Sequence, residues 1–320
     1  MRRREFIWLL GGAAALPAAA GAQQRKKLFR IGILDDGPIW RPFREGMRDL
    51  GYTEGQTIAY EHPAAGGDPA RLADAAGELA RLPVDVIVAY GTPPSRAAKA
   101  ATSTIPIVMI AIGDPVVAGL VQSLAHPGGN VTGNTILSAD LAPKRLQLIK
   151  EIIPSASRVA LLWNPDNVSN AMILEQLRGA APPLGLTLNA VEARSGNDLE
   201  PAFATLLRER PDAVVLTSDP VHQRNMSRII GHLTQNRLPG FFQTRDDAEA
   251  GGFVSYGAIF SELFRQGAFF VDKILHGTRP ADIPVQTPQR YELVVNLKTA
   301  KAIGVTISEA VLLRADAVIE

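Results

Sequence analysis

From residue 28 onward, short runs of β-branched and aliphatic residues alternate with segments whose apolar positions recur at helical spacing. Residues 28–34 predict a strand that stops at Asp35-Asp36-Gly37-Pro38, and 42–50 a helix closed by Gly51. A second strand over 57–61 runs into a Gly/Pro loop, where Asp68-Pro69 caps a helix reaching Leu82. Residues 84–90 are apolar without alternation, as a strand buried on both faces requires. A helix opened by Gly91-Thr92-Pro93-Pro94 and a strand over 105–112 complete this set.

The order then repeats. A strand at 158–163 ends in Asn164-Pro165, a helix covers 168–184, and a strand covers 187–193. A helix follows to Arg210, then a strand at 213–217 ending in Ser218-Asp219-Pro220, a helix to about 235, and a strand at 240–243. The stretch from Arg81 to Pro93 lines up with that from Arg210 to Pro220. Two such β/α sets predict an α/β fold with two doubly wound parallel-sheet lobes. The alternative is one long sheet, but 113–135 breaks at Asp114-Pro115 and again at Pro127-Gly128-Gly129-Asn130, between the sets. After Ser255-Tyr256-Gly257 come a helix to His276-Gly277, a Pro-rich connector over 280–288, a strand at 291–296, a helix at 298–303 and a tail. Lobe 1 is expected to hold 28–135 and about 258–287, and lobe 2 136–257 and about 288–320, with three crossings around a cleft.

Composition adds little until the N-terminus is considered. At 320 residues, 46% hydrophobic and 20% charged, the chain has room for two domains. Residues 1–22 differ from the rest: a basic head (Arg2-Arg3-Arg4), an apolar stretch from Trp8 to Leu16, and small residues at Ala20-Gly21-Ala22. That pattern is an export signal and is set apart from the fold. Arg3-Arg4-Glu5-Phe6-Ile7 resembles a twin-arginine signal, and an ordinary secretory signal is the second reading. With the three arginines and one glutamate of that segment removed from 33 basic and 32 acidic residues, the remainder carries a formal charge of −1. Neither nucleic acid nor an anionic membrane is favoured by that balance. Without cysteine there is no disulfide, thiolate chemistry or lipid-anchored cysteine, so a free periplasmic protein is expected.

Ligands of open parallel sheets bind beyond the carboxyl ends of the strands. Four of those ends share one device, a capping residue followed by proline: Thr92-Pro93, Asp114-Pro115, Asn164-Pro165 and Asp219-Pro220. Each alone is only a good helix start, worth ~1 kcal/mol. As a set divided between two lobes they point free N–H groups into a cleft that suits a carboxylate. Aromatic residues at or beside strand ends (Trp40, Tyr90, Trp163, Phe242, Tyr256) can sandwich a flat ligand or pack the core, with Trp163 and Tyr256 favoured for the ligand. The expected binding set is therefore Asp36, Gly37, Trp40, Gly91, Thr92, Pro93, Asp114, Trp163, Asn164, Asn167, Ser218, Asp219 and Tyr256.

Catalytic signatures are poor. Ser255 has Phe253 where a nucleophile elbow needs glycine, and no phosphate-cradling or dinucleotide motif is well placed. The five histidines show no metal-ligand spacing, so neither metal nor cofactor is expected. Asp246-Asp247-Ala248-Glu249 reads as a solvated loop, and the sequons at Asn130 and Asn167 are discounted beside a bacterial-type signal.

Gly113-Asp-Pro-Val, Gly119-Leu-Val-Gln-Ser-Leu and Pro127-Gly-Gly-Asn-Val-Thr-Gly133, supported by Leu162-Trp-Asn-Pro165, Ser255-Tyr-Gly257 and Val295-Asn-Leu-Lys-Thr-Ala-Lys301, carry a resemblance. The chain resembles the ABC transporter substrate-binding proteins of the tryptophan/tyrosine-binding type over its whole mature length. The resemblance implies a type I periplasmic-binding-protein fold that closes on a small solute, an amino acid or related carboxylate, and delivers it to a membrane permease. A monomer is expected. The loop from Asp35 to Trp40 and the turn Pro93-Pro94-Ser95-Arg96 depart from a simple small-residue pattern, so ligand identity does not carry over. Two other readings compete. An exported enzyme would use Asp114 or Asp219 as acid/base. A sugar-repressor-like sensor would need a DNA-binding helix-turn-helix where the export signal stands.

Overall fold

The uninterrupted apolar runs become the innermost strands. In the computed structural model, which describes residues 27–34, 37–63, 71–137 and 139–320, the first half of the chain builds a five-stranded parallel sheet. Its strands are β1 (Phe29–Leu34), β2 (Ile58–Glu61), β3 (Val86–Tyr90), β4 (Ile107–Ile112) and β5 (Val131–Thr135), in the order β2-β1-β3-β4-β5. Every residue of β3 and β4 is buried because helices cover both faces. On one face lies α1 (Arg41–Asp49); on the other lie α2 (Leu72–Arg81) and α3 (Thr92–Ala101). The expected export segment, Asp36 and the Asp68-Pro69 cap fall outside the described residues.

After β5 the chain crosses to a second body. There α4 (Ala142–Ile152), β6 (Arg158–Trp163), α5 (Val168–Ala180), β7 (Thr187–Glu192), α6 (Leu199–Glu209) and β8 (Ala213–Leu216) follow in turn. Next come α7 (Pro220–Arg224), α8 (Met226–Gln235), β9 (Gly240–Phe242), α9 (Arg245–Glu249) and β10 (Val254–Ala258). The chain then returns: α10 (Phe260–Leu275) packs on α1 and across β4 and β5 of the first sheet. A third passage brings β11 (Tyr291–Asn296), α11 (Leu297–Ile303), α12 (Glu309–Leu312) and β12 (Ala317–Ile319) to the second body. Its seven strands run β12-β11-β10-β9-β8-β6-β7, with α4, α5 and α11 on one face and α6 and α8 on the other. The fold is two α/β lobes with three crossings. All strand pairs are parallel except β10 with β11, because β11 re-enters its sheet from the opposite direction after the excursion through α10.

Several elements differ from those expected. Helix α4 fills 142–152, strand β10 fills 254–258, β5 takes in the end of the Pro127–Gly133 motif, and the expected helix over 220–235 is two helices broken at Asn225. The motif that carried the family resemblance is thereby structural. Asn130 donates to the carbonyls of Thr102 and Ile105 at 3.1 and 2.9 Å, and Thr132 donates to that of Ile283 at 2.6 Å. Asn134 accepts from the N–H of Ala111 at 2.8 Å, supporting a left-handed residue (φ 56°) at the β4 bulge. Its amide donates onward to the Leu263 carbonyl on α10 at 2.8 Å. Gln286 of the third crossing pairs with the same strand, its N–H donating to Gly133 and its carbonyl accepting from Thr135, both at 3.0 Å. Two crossing segments therefore lie side by side.

Gly133 is required at this spot. Its φ is 141°, and a Cβ built there would sit 1.9 Å from the Met109 carbonyl oxygen. Gly133→Ala is expected to cost about 3 kcal/mol or more through backbone displacement; urea unfolding with an unchanged midpoint would contradict the close approach.

Candidate functional site

Between the lobes lies a cavity of about 480 Å³ at the carboxyl ends of the strands. Leu34, Gly37, Pro38, Ile39 and Tyr90 line it from lobe 1, and Pro220, Gln223, Arg224 and Asp246 from lobe 2. Among the described residues the wall is mostly apolar, with one guanidinium and one carboxylate, both on lobe 2.

Tyr90 ends β3 with its ring against Phe260 and Phe264, at centroid distances of 6.1 and 5.5 Å. Its hydroxyl bonds across the cleft to Ser218. Burial pushes its pKa up, the Ser218 bond opposes that shift, and the buried carboxylates Asp247 and Asp219 push it further up.

Behind the lobe 2 wall, Asp219 is buried and fully engaged. It caps α7 by accepting from the Val221 N–H at 2.9 Å. It also accepts from the side-chain amides of Asn167 at 2.9 Å, Asn164 at 3.3 Å and Asn170 at 3.4 Å. Asp247 is buried too, accepting from the Gln223 amide at 3.3 Å and from the Thr244 N–H at 3.1 Å within a capping box. Burial pushes Asp247 up to about 6 against the opposing pull of those bonds. The stretch read as a solvated loop is instead helix α9: Asp246 at the cavity edge, Asp247 beneath it. Among the described residues no group of acids or histidines is arranged to hold a metal.

Of the residues singled out from sequence, Gly37 lines the cavity and Ser218 reaches Tyr90. Gly91, at φ 80°, lies against Pro220 of the other lobe, where a Cβ would come within 2.9 Å of the ring. Thr92 is buried, its hydroxyl 2.9 Å from that of Ser169 across the interface. Pro93 is half-buried in the first turn of α3. The remaining expected residues do not line the cavity, and Asp36 lies outside the described residues. Asp114 turns back on its own chain, accepting from the N–H groups of Val116 and Val117 at 2.9 Å. Trp40 is wholly buried between Phe43 and Phe264, at 5.6 and 5.3 Å, because it falls on the inward face where helix α1 begins. Asn164, Asn167 and Asp219 spend their polar atoms on one another and on the backbone N–H groups of Asp166, Ser169 and Val221. Trp163 and Tyr256 pack half-buried on the α4/α5 face of lobe 2. The Tyr256 carbonyl there accepts from Arg145, whose own burial lowers its pKa to about 10. Leu34, Pro38, Ile39, Tyr90, Pro220, Gln223, Arg224 and Asp246 complete the cavity without having been selected; Tyr90 and Pro220 had a strand-end signal, Gln223 and Arg224 none.

The family model for ABC transporter substrate binding protein matches residues 38–319. The chain belongs to that family. Its matched span contains lobe 2 and lobe 1 apart from β1, with all the described cavity residues but Leu34 and Gly37. A curated relative, the Tyrosine-binding protein of Clostridioides difficile (strain R20291), is 28% identical over 262 residues, 82% of this chain and 75% of its own. The ABC domain from Streptococcus pneumonia solved in complex with L-Trp is 26% identical, covers 92% of this chain and 100% of its own, and superposes with a TM-score of 0.83. The ligand-free, open structure of a Clostridium difficile substrate-binding protein with adhesive properties is also 26% identical. It covers 91% of this chain and 99% of its own, with a TM-score of 0.62. This substrate-binding protein thus superposes more closely as a whole on the L-Trp complex than on the ligand-free, open structure. It is the solute-binding component of an ABC transporter, a partner of a permease and not an enzyme. Among the described residues no helix is long and apolar enough to cross a membrane.

If Asp219 is a structural anchor, Asp219→Ala leaves four donors unpaired and lowers stability by roughly 2–4 kcal/mol; an unchanged unfolding midpoint with altered solute affinity alone would return it to the ligand site. Asp247 carries a pH signature. Its folded pKa, about 6, lies above the ordinary carboxylate value, so the native state holds its proton longer than the unfolded chain. Its contribution to stability therefore falls as pH rises from about 4 to about 6 and is flat on either side. Melting temperatures of wild type and Asp247→Asn are expected to follow different slopes across that window, the wild type alone losing this increment as pH rises.

Proposed function

We propose that this substrate-binding protein captures an amino acid with an aromatic or large apolar side chain and hands it to its permease from the periplasm. The observation that carries the reading is the wall itself: apolar surface from Leu34, Pro38, Ile39, Tyr90 and Pro220, with Arg224 and Asp246 together on the facing lobe. A zwitterion needs one cation for its carboxylate and one anion for its ammonium, and charge-assisted bonds of that kind are the strong ones. Asp219 and Asp114, both in the expected binding set, are occupied by their own caps, which leaves Asp246 for the ammonium. The volume falls within the ~300–1,000 Å³ of small-molecule sites. Relatives described as binding tyrosine and L-Trp support the same class. The basic and apolar N-terminal segment supports the reading of an exported protein, and a cavity lined by one chain supports that of a monomer.

Closure on such a solute is differential binding: contacts to both lobes exist only when the lobes meet, so the solute shifts the open–closed equilibrium. Calorimetry with L-tryptophan and L-tyrosine, each beside its decarboxylated and deaminated analogue, tests the assignment. Removing either charged group is expected to weaken binding at least tenfold. Arg224→Gln should weaken the parent amino acids by about ten- to a hundredfold while leaving the decarboxylated amines unaffected. Amines that bind as tightly as the amino acids would defeat the role given to Arg224.

A further inference from the structure

Apart from the cavity, the lobes meet where the tip of α5 enters lobe 1. Asn167 caps that helix, its side-chain oxygen accepting from the Ser169 N–H at 3.2 Å while its amide is held by Asp219 at 2.9 Å. The cap fixes the Ser169 backbone. The Ser169 hydroxyl is buried and turned toward the opposite lobe. It stands 2.9 Å from the Thr92 hydroxyl at the start of α3 and accepts from the Asp114 N–H at 3.4 Å. One hydroxyl can accept twice and donate once, so both bonds are satisfiable together. Val168, beside it, packs against the apolar cluster of lobe 1, and Gly91 abuts Pro220. Each contact runs from lobe to lobe with no solute atom in between.

We infer that Ser169 is a positioning residue that latches the two lobes together, giving closure a drive of its own that does not depend on which solute is bound. Cavity residues can favour closure only through the solute they touch. The latch adds a constant bias, and apparent affinity scales with the fraction of protein in the binding-competent form. The bias is modest because in the open form Ser169, Thr92 and the Asp114 N–H find water instead. A net hydrogen bond changes such an equilibrium by roughly 2- to 12-fold. The latch therefore tunes closure and does not lock it. It also gives Thr92 and Asp114, both expected from sequence to touch a ligand, a role toward the opposite lobe.

The chain has no cysteine, so Ala100→Cys on α3 and Gln176→Cys on α5 allow two spin labels to be placed on opposite lobes. Dipolar distance measurements on solute-free protein should show a short-distance population in the labelled parent. Ser169→Ala and Thr92→Val should reduce that population several-fold, while Thr92→Ser, which keeps the hydroxyl, should retain it. Gly91→Ala, which pushes on Pro220, should reduce it by a separate route. A parent without the short distance, a Ser169→Ala distribution equal to the parent's, or a Thr92→Ser variant as open as Thr92→Val would each overturn the latch. The measurement needs no ligand, so failure of L-tryptophan or L-tyrosine to bind would count against the amino-acid reading and not against this one.

Discussion

A buried carboxylate dictates the shape of the lobe 2 cleft. Among the described residues Asp219 has no cationic partner, and an ion left unpaired in an interior costs several kcal/mol. It survives there because four neutral donors converge on it, the amides of Asn164, Asn167 and Asn170 and the N–H of Val221. Those donors come from three segments: the turn after β6, the tip of α5 and the start of α7. Satisfying one charge therefore fixes all three at once. The α5 tip carries Ser169 to the opposite lobe, and α7 carries Pro220, Gln223 and Arg224 to the cavity. Interface and binding wall share one anchor.

Electrostatics on this side of the cleft follow from the same arrangement. Asp247 is a second buried acid bonded only to neutral groups, and Gln223 connects it to the cavity surface. Tyr90, reaching across from lobe 1, has its pKa raised first by its own burial and further by Asp247 and Asp219. Lobe 1 contributes shape and apolar surface; lobe 2 contributes the charges.

The cap-proline device illustrates how a correct local reading leads to more than one tertiary role. Thr92-Pro93 and Asp219-Pro220 both start helices, as their chemistry requires. Asp219 nonetheless faces inward and Thr92 faces the other lobe. Aromatic residues divide in the same way: Trp40 sits in the core, Tyr90 on the cavity, and Trp163 and Tyr256 beneath the sheet. Strand ends place residues near a cleft, but the helix that covers each face decides which of them still face open space.

Local chemistry alone determined the strands, most of the helices and the division into two β/α sets, because burial on both faces of a parallel sheet demands unbroken apolar runs. It also placed the cleft at the strand ends and carried the family resemblance through residues such as Gly133. Gly133 and its neighbour Asn134 serve the backbone: a 1.9 Å approach and a bulge that needs an amide. Strand β5 escaped notice because Val131-Thr-Gly-Asn-Thr135 is polar and carries a glycine, and it is a strand only because β4 and the Gln286 segment pair with it. Which side chains form the cavity, and which are consumed in holding it, was decided by tertiary structure. Gln223, Arg224 and Asp246 acquire a role only when Asp219 and Asp247 are buried behind them and Tyr90 is brought across from the other lobe, contacts between residues distant in sequence that no local pattern encodes.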